Sequence, residues 1–106
     1  MEKSLLLSLT GELPLFNIID FLLDNKGMDF SKSDIAKGAG ISRASLFNYW
    51  SQIEKHGIVK VTRSFGKTRL YTLNTKSPVA QRIIELERAL ISEAMKRARM
   101  EKEVVV

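Results

Sequence analysis

Apolar residues recur every three or four positions through most of this chain and every second position in one stretch; serine, proline and glycine mark the breaks. From Leu13 to Asn25 the apolar positions are Leu15, Ile18, Ile19, Phe21, Leu22 and Leu23, which predicts a helix with a wider buried face than a solvent-facing helix needs. Pro14 sits in its first turn, where a missing N–H costs nothing. Lys26-Gly27 ends this helix, and Met28 to Phe30 can add a short strand. Two shorter helices follow between Phe30 and Gly57. Ser31 is the expected cap of the first, with Asp34 as its capping-box partner and Ile35 and Ala36 facing inward. Gly38 to Gly40 are expected to form the turn, Gly40 taking the positive φ that other residues resist. Ser42 caps the second, with Ile41 before it as a hydrophobic staple. Leu46, Trp50, Ile53 and Gly57 then fall at spacings of four, three and four, one helical stripe.

After Gly57 the period changes to two. Ile58 to Arg63 is β-rich, Arg69 to Leu73 alternates, and the short segment from Ser64 to Thr68 contains a glycine, which together predict a hairpin. Leu70 and Tyr71 fall on opposite faces, so one face packs on the helices and the other is wet. Ser77 caps a last helix with Pro78 at its first position. Val79, Ile83, Leu86 and Leu90 recur at four, three and four, widened by Ala80, Ile84, Ile91, Ala94, Met95 and Ala98. If it runs to about Lys102 this helix is ~37 Å long. That outruns so small a domain and leaves apolar surface bare, the usual mark of a protein interface. Met1 to Glu12 reads two ways: Leu5, Leu7 and Leu9 alternate like a strand, while Ser4 to Leu7 could equally begin a helix. In either case the leucines need a covering surface, and a second subunit is one candidate.

The fold class is therefore mainly α with a small β-hairpin (α+β). Its segments are an apolar stretch over 1–12, a central domain over 13–76 and a C-terminal dimerisation helix over 77–106. Ser33-Asp34-Ile35-Ala36, then Gly40-Ile41-Ser42-Arg43-Ala44-Ser45-Leu46, then Ile53-Glu54-Lys55-His56-Gly57-Ile58-Val59 resemble the winged helix-turn-helix family, in particular small archaeal and bacterial regulators. The likeness covers roughly Leu13 to Leu90. It implies a homodimer that sets two recognition helices in successive major grooves, about 34 Å apart, on a pseudo-palindromic site.

Charge placement supports that reading. The 106 residues carry net charge +5. From Ile41 to Lys76 there are seven Lys or Arg against Glu54 alone, whereas Met1 to Gly40 is net −2 and Ser77 to Val106 net +1. The positive field sits on the second helix of the pair and the hairpin, as in a nucleic-acid footprint. The outward face of that helix holds Ala44, Asn48, Ser51 and Lys55, flanked by Arg43 and Phe47, and suits a major groove lined with hydrogen-bond acceptors. Arg43 is matched to guanine, and Asn48 to adenine or a phosphate. Phe47 either touches a thymine methyl or packs beneath the wing, and Tyr49 either reaches a phosphate or fills the core edge. Backbone amides near Ser42 and Ser45 lie at a helix amino end, a ready anion site. Arg63, Lys67 and Arg69 are expected on the wing, against phosphates or the minor groove. Expected dimer contacts are Leu5, Leu7, Leu15, Val79, Ile83, Leu86, Leu90, Ile91 and Ala94.

Other chemistry lacks its parts. There is no cysteine, so no disulfide, thiol nucleophile or cysteine metal site. The single histidine, His56, reads as a helix-end residue, without the partners a metal or a nucleophilic serine would need. Asp20 and Asp24 are expected to be a solvated pair. Gly66-Lys67-Thr68 lacks the earlier glycine and the following helix of a phosphate loop. No cofactor, metal or catalytic activity is expected. No apolar run approaches the ~20 residues of a membrane span and no cleavage signal follows the first leucines, so the expected location is cytoplasmic. A winged helix serving as a protein-interaction module or complex subunit is the alternative function. RNA binding is weaker, because the A-form major groove is too narrow for a helix.

Overall fold

The computed structural model describes residues 4–104. The ends of the expected N-terminal segment and C-terminal helix, Met1 to Lys3 and the last two residues, lie outside the described residues. The ambiguous amino-terminal stretch is a helix, α1 (Leu5–Thr10). Ser4 decides this locally: its Oγ accepts the Leu7 N–H at 3.0 Å, and Gly11 ends the turn. Leu6 and Leu7 are buried while Leu5 and Leu9 stay exposed, a helical and not an alternating pattern.

Helix α2 (Pro14–Asp24) buries Ile18, Ile19, Leu22 and Leu23. The strand expected over Met28 to Phe30 shrinks to one bridged residue, Phe30, which exchanges two hydrogen bonds with Tyr71 at 2.8 and 2.7 Å. Helix α3 (Lys32–Ala39) is capped by Ser31, whose Oγ accepts the Asp34 N–H at 3.1 Å. Gly38, expected in the turn, lies inside this helix. Its lack of a side chain admits the ring of Phe21 from α2, so it marks a close approach and not a bend. The turn belongs to Gly40 at φ 70°, closed by the Ile41 N–H donating to Ala36 O at 3.0 Å. Helix α4 (Arg43–Lys55) follows and buries Leu46, Trp50 and Ile53, the expected stripe.

Strands β1 (Val59–Phe65) and β2 (Thr68–Leu73) form one antiparallel hairpin. Pairing runs to Phe65 opposite Thr68, so the loop is only Gly66-Lys67, shorter than the segment expected from the sequence. Val61 pairs with Tyr71 but Arg63 with Leu70, which makes Thr62 a bulge. Helix α5 (Pro78–Val104) has 27 residues, about 40 Å at the α-helical rise. Ser77 begins it, its Oγ accepting the Ala80 N–H and donating to His56 O, which ties the end of α4 to the start of α5.

One core lies among these elements. Ile18, Leu22, Ile35, Leu46 and Ile53 are fully buried at its centre; Trp50 meets Tyr71 edge-on at 5.0 Å, and Ala80 and Ile84 bring α5 in. Each buried aliphatic of this size contributes roughly 1.5–3 kcal/mol. Half-buried Ile83 and Leu90 also pack on the core, but farther along α5 Ile91, Met95 and Met100 are exposed. The molecule measures 62 × 27 × 20 Å. Among the described residues no helix is long and apolar enough to cross a membrane.

Candidate nucleic-acid interface

Two short helices, a glycine turn and a hairpin fix one cationic surface. Because Leu46, Trp50 and Ile53 point inward, the opposite side of α4 must point outward: Ala44, Phe47, Asn48, Ser51 and Lys55 are all exposed, Phe47 to 60%. Between this helix, the start of α3 and the hairpin runs an open cleft of about 650 Å³. Its walls are Ser31, Lys32, Ser33, Arg43, Phe47, Lys67, Thr68, Arg69 and Tyr71, which include four cations and no carboxylate.

The β-bulge at Thr62 decides which basic residues share this cleft. Paired residues lie on one face, so past the bulge Arg69 and Ser64 join the Tyr71 side and Arg63 the Leu70 side. Arg69 and Lys67 therefore line the cleft with Arg43. Arg63 does not. Its Nε donates to Asp29 Oδ2 and its Nη2 to Asp29 Oδ1, both at 3.0 Å, and Thr62 Oγ1 also donates to Asp29. These hydrogen bonds, Arg63 first and then Thr62, hold the Asp29 carboxyl below its ordinary range. The three basic residues expected together on the wing are thus divided between two faces.

The expected contact residues near the start of α4 are partly engaged with one another. Ser42 Oγ accepts the Ser45 N–H at 3.1 Å and donates to Ser45 Oγ, so that amide serves the cap and is not open to an anion. Arg43 Nη2 donates to Ser33 Oγ at 3.0 Å, which draws its guanidinium towards α3 and the cleft. Phe47 forms a cleft wall, and Tyr49 packs at the core edge.

Lys32 is the functional candidate that the sequence did not single out. Its Nζ lies 5.7 Å from the Phe47 ring, 5.4 Å from Trp50 and 5.9 Å from Tyr71. A cation over several rings is held by them, and among the described residues no ion pair engages Lys32, which leaves it available to an anion. Sequence spacing could not reveal this, because the three rings lie on α4 and β2 and meet Lys32 only when the chain folds.

Elsewhere, Asp24 is exposed as expected, but Asp20 is half-buried. Asp20 Oδ1 is buried, and α5 brings Glu87 alongside. Partial burial, then Asp20 and Glu87, push the Asp24 carboxyl up, while Lys26 opposes them. Lys26 reaches Glu87 at 3.6 Å. Among the described residues no group of three or more His, Cys, Asp or Glu is placed to hold a metal ion.

With this geometry in place, similarity in three dimensions can be weighed. ZitR from Lactococcus lactis superposes with TM-score 0.62 at 18% identity, over 93% of this chain and 80% of its own. The AntR antimony-specific transcriptional repressor gives 0.54 at 21% identity, over 76% and 68%. Sso10a-2, a DNA-binding protein from Sulfolobus solfataricus, gives 0.53 at 18% identity, over 85% and 94%. The fold is a winged helix-turn-helix. In its terms α3 and α4 are the helix pair and the β1–β2 hairpin is the wing. No protein-family model matches the sequence, and no curated protein is similar to it, so the structural likeness identifies the winged helix as an architecture.

Proposed function

We propose that this winged helix is a sequence-specific double-stranded DNA-binding transcription regulator that acts as a homodimer. The observation that carries the reading is the exposed polar face of α4, opening onto a cleft with four cations and no carboxylate. A helix of this width enters the major groove, where Asn48 and Arg43 have the donor geometry for adenine and guanine edges. Lys32, Lys67 and Arg69 suit the backbone phosphates beside that groove. Ala44, Ser51 and Lys55 complete the face, Ser42 and Ser45 hold its leading end, and Arg63 braces the wing. That AntR is a repressor and Sso10a-2 binds DNA, as described for those proteins, favours the same class of partner here.

The dimer rests on α5. Leu5, Val79, Leu86 and Ile91 remain exposed, and Pro78, Val79, Arg82, Ile83 and Leu86 line a shallow, almost wholly apolar groove. Of the other residues expected at the interface, Leu7 is buried in the chain's own fold, while half-buried Leu15, Ile83 and Leu90 pack on its core and leave less area for a partner. Ala94 is half-buried.

Selection of bound duplexes from a random pool tests the reading. The expected result is a motif with two-fold symmetry and an affinity that falls steeply with salt. Arg43→Ala or Asn48→Ala should change the preferred bases, whereas Lys67→Ala should weaken all duplexes alike and lower the salt slope by about 0.9. Equal affinity for every duplex, untouched by those substitutions, would reject specific regulation and favour an interaction module.

A further inference from the structure

Phe65 has no part in the contacts assigned so far. It is the last paired residue before the Gly66-Lys67 loop, opposite Thr68, and it is 59% exposed. A bare aromatic ring at a hairpin tip gains little from the core, so its placement needs another reason. Past the bulge at Thr62, Arg63 and Phe65 lie two apart on the Leu70 face of the hairpin, and the Arg63 guanidinium carbon lies 5.5 Å from the ring centroid. Asp29 holds that guanidinium through two hydrogen bonds. The ring is thus braced by a side chain that is itself anchored to the body of the domain.

The surroundings select the occupant. From Val59 to Leu73 the hairpin carries no carboxylate, and with Arg63 paired to Asp29 its cationic field comes from Lys60, Lys67 and Arg69. An apolar tip inside a cationic field matches a groove walled by phosphates and floored by stacked bases. The minor groove is the one left to the wing once α4 occupies the major groove. Resting on the duplex-binding reading above, we propose that Phe65 is a wedge: it enters the minor groove, partly separates one base step and bends the duplex towards the major groove. Pyrimidine–purine steps unstack most easily and are the expected points of entry.

The test uses the full chain and the selected duplex, with 2-aminopurine replacing adenine at each position in turn and a donor–acceptor dye pair on the two ends. Wild type should raise 2-aminopurine fluorescence at one step per half-site and shorten the end-to-end distance. Phe65→Ala should keep the wild-type melting temperature, since the ring is exposed, bind roughly five- to a hundredfold more weakly and lose both signals. Phe65→Leu, which keeps an apolar wedge, should retain part of the bend. Tight binding by wild type with no unstacking and no bend overturns the wedge and leaves duplex recognition standing, as does a Phe65→Ala complex as bent as wild type. Failure of wild type to bind any duplex overturns both.

Discussion

The Asp29 carboxylate and the Arg63 guanidinium face each other through two parallel hydrogen bonds of 3.0 Å, joining the segment before α3 to the first strand of the wing across 34 positions of sequence. Such a bidentate pair fixes orientation as well as distance. It also cancels charge: Arg63 adds nothing net to the field of the hairpin while Asp29 is ionised. Asp29→Asn should therefore raise affinity for random-sequence duplex and steepen the dependence of log K on log salt by about 0.9. Titration at several salt concentrations checks this, and an unchanged slope would mean that Arg63 stays withheld for another reason.

The same pair sets a pH dependence of known sign. Asp29 in the folded chain is held below its ordinary value, by Arg63 first and Thr62 next. Its contribution to stability is then fully present above the ordinary carboxylate range and is lost as pH falls through the lowered folded value. The melting-temperature difference between wild type and Asp29→Asn should persist through mild acid and close only in strong acid.

Asp24 behaves in the opposite sense. Partial burial and the neighbouring Asp20 and Glu87 raise its pKa, so the folded chain binds that proton more tightly than the unfolded chain does. Folding is favoured in acid and loses that contribution as pH rises through the raised value. Asp24→Asn should raise the melting temperature at neutral pH and leave it unchanged in acid. A loss at neutral pH would show that Lys26 outweighs the crowding.

Gly38 tests a close approach against helix propensity. In an open helix, alanine in place of glycine stabilises by about 0.5–1 kcal/mol. Here a Cβ would overlap the Phe21 ring, which is itself held edge-on to Phe30 at 4.9 Å. Overpacking of that kind costs about 1–3 kcal/mol. Gly38→Ala should therefore destabilise in denaturant melts, and should cost less in a Phe21→Leu background, where the neighbour is smaller and more adaptable.

What the sequence made legible follows from range. Ser31, Ser42 and Ser77 cap as their spacing suggests, and the stripe of Leu46, Trp50 and Ile53 is buried, because caps and stripes depend on neighbours within a turn or two. Gly38 was misplaced in the turn because a glycine left bare for a distant phenylalanine looks like a glycine left bare for a bend. The bulge at Thr62 has no local mark either, although it decides that Arg69 and Arg63 point to opposite faces. Lys32, Asp29 and Glu87 act through partners on other elements, so periodicity could not assign them. Composition located the cationic surface; only the folded chain divides it into a cleft and a braced wing tip.

The two sides of α5 separate folding from assembly. Ile84 is buried against the core, whereas Val79 and Leu86 are each 39% exposed and Ile91 is 43% exposed. Leu86→Glu and Ile91→Glu place a charge where water already reaches, so each should keep the cooperative melt of wild type. If α5 pairs two copies, the same charge would be desolvated in the assembly. Sedimentation at micromolar concentration should give wild type twice the 12.0 kDa mass of the chain and Leu86→Glu that mass alone, with operator affinity reduced along with the second half-site contact. Ile84→Glu should instead lose the fold, since its charge is buried in the monomer itself. Wild type sedimenting as a single chain would exclude the dimer, and the exposed stripe of α5 would then belong to a different partner.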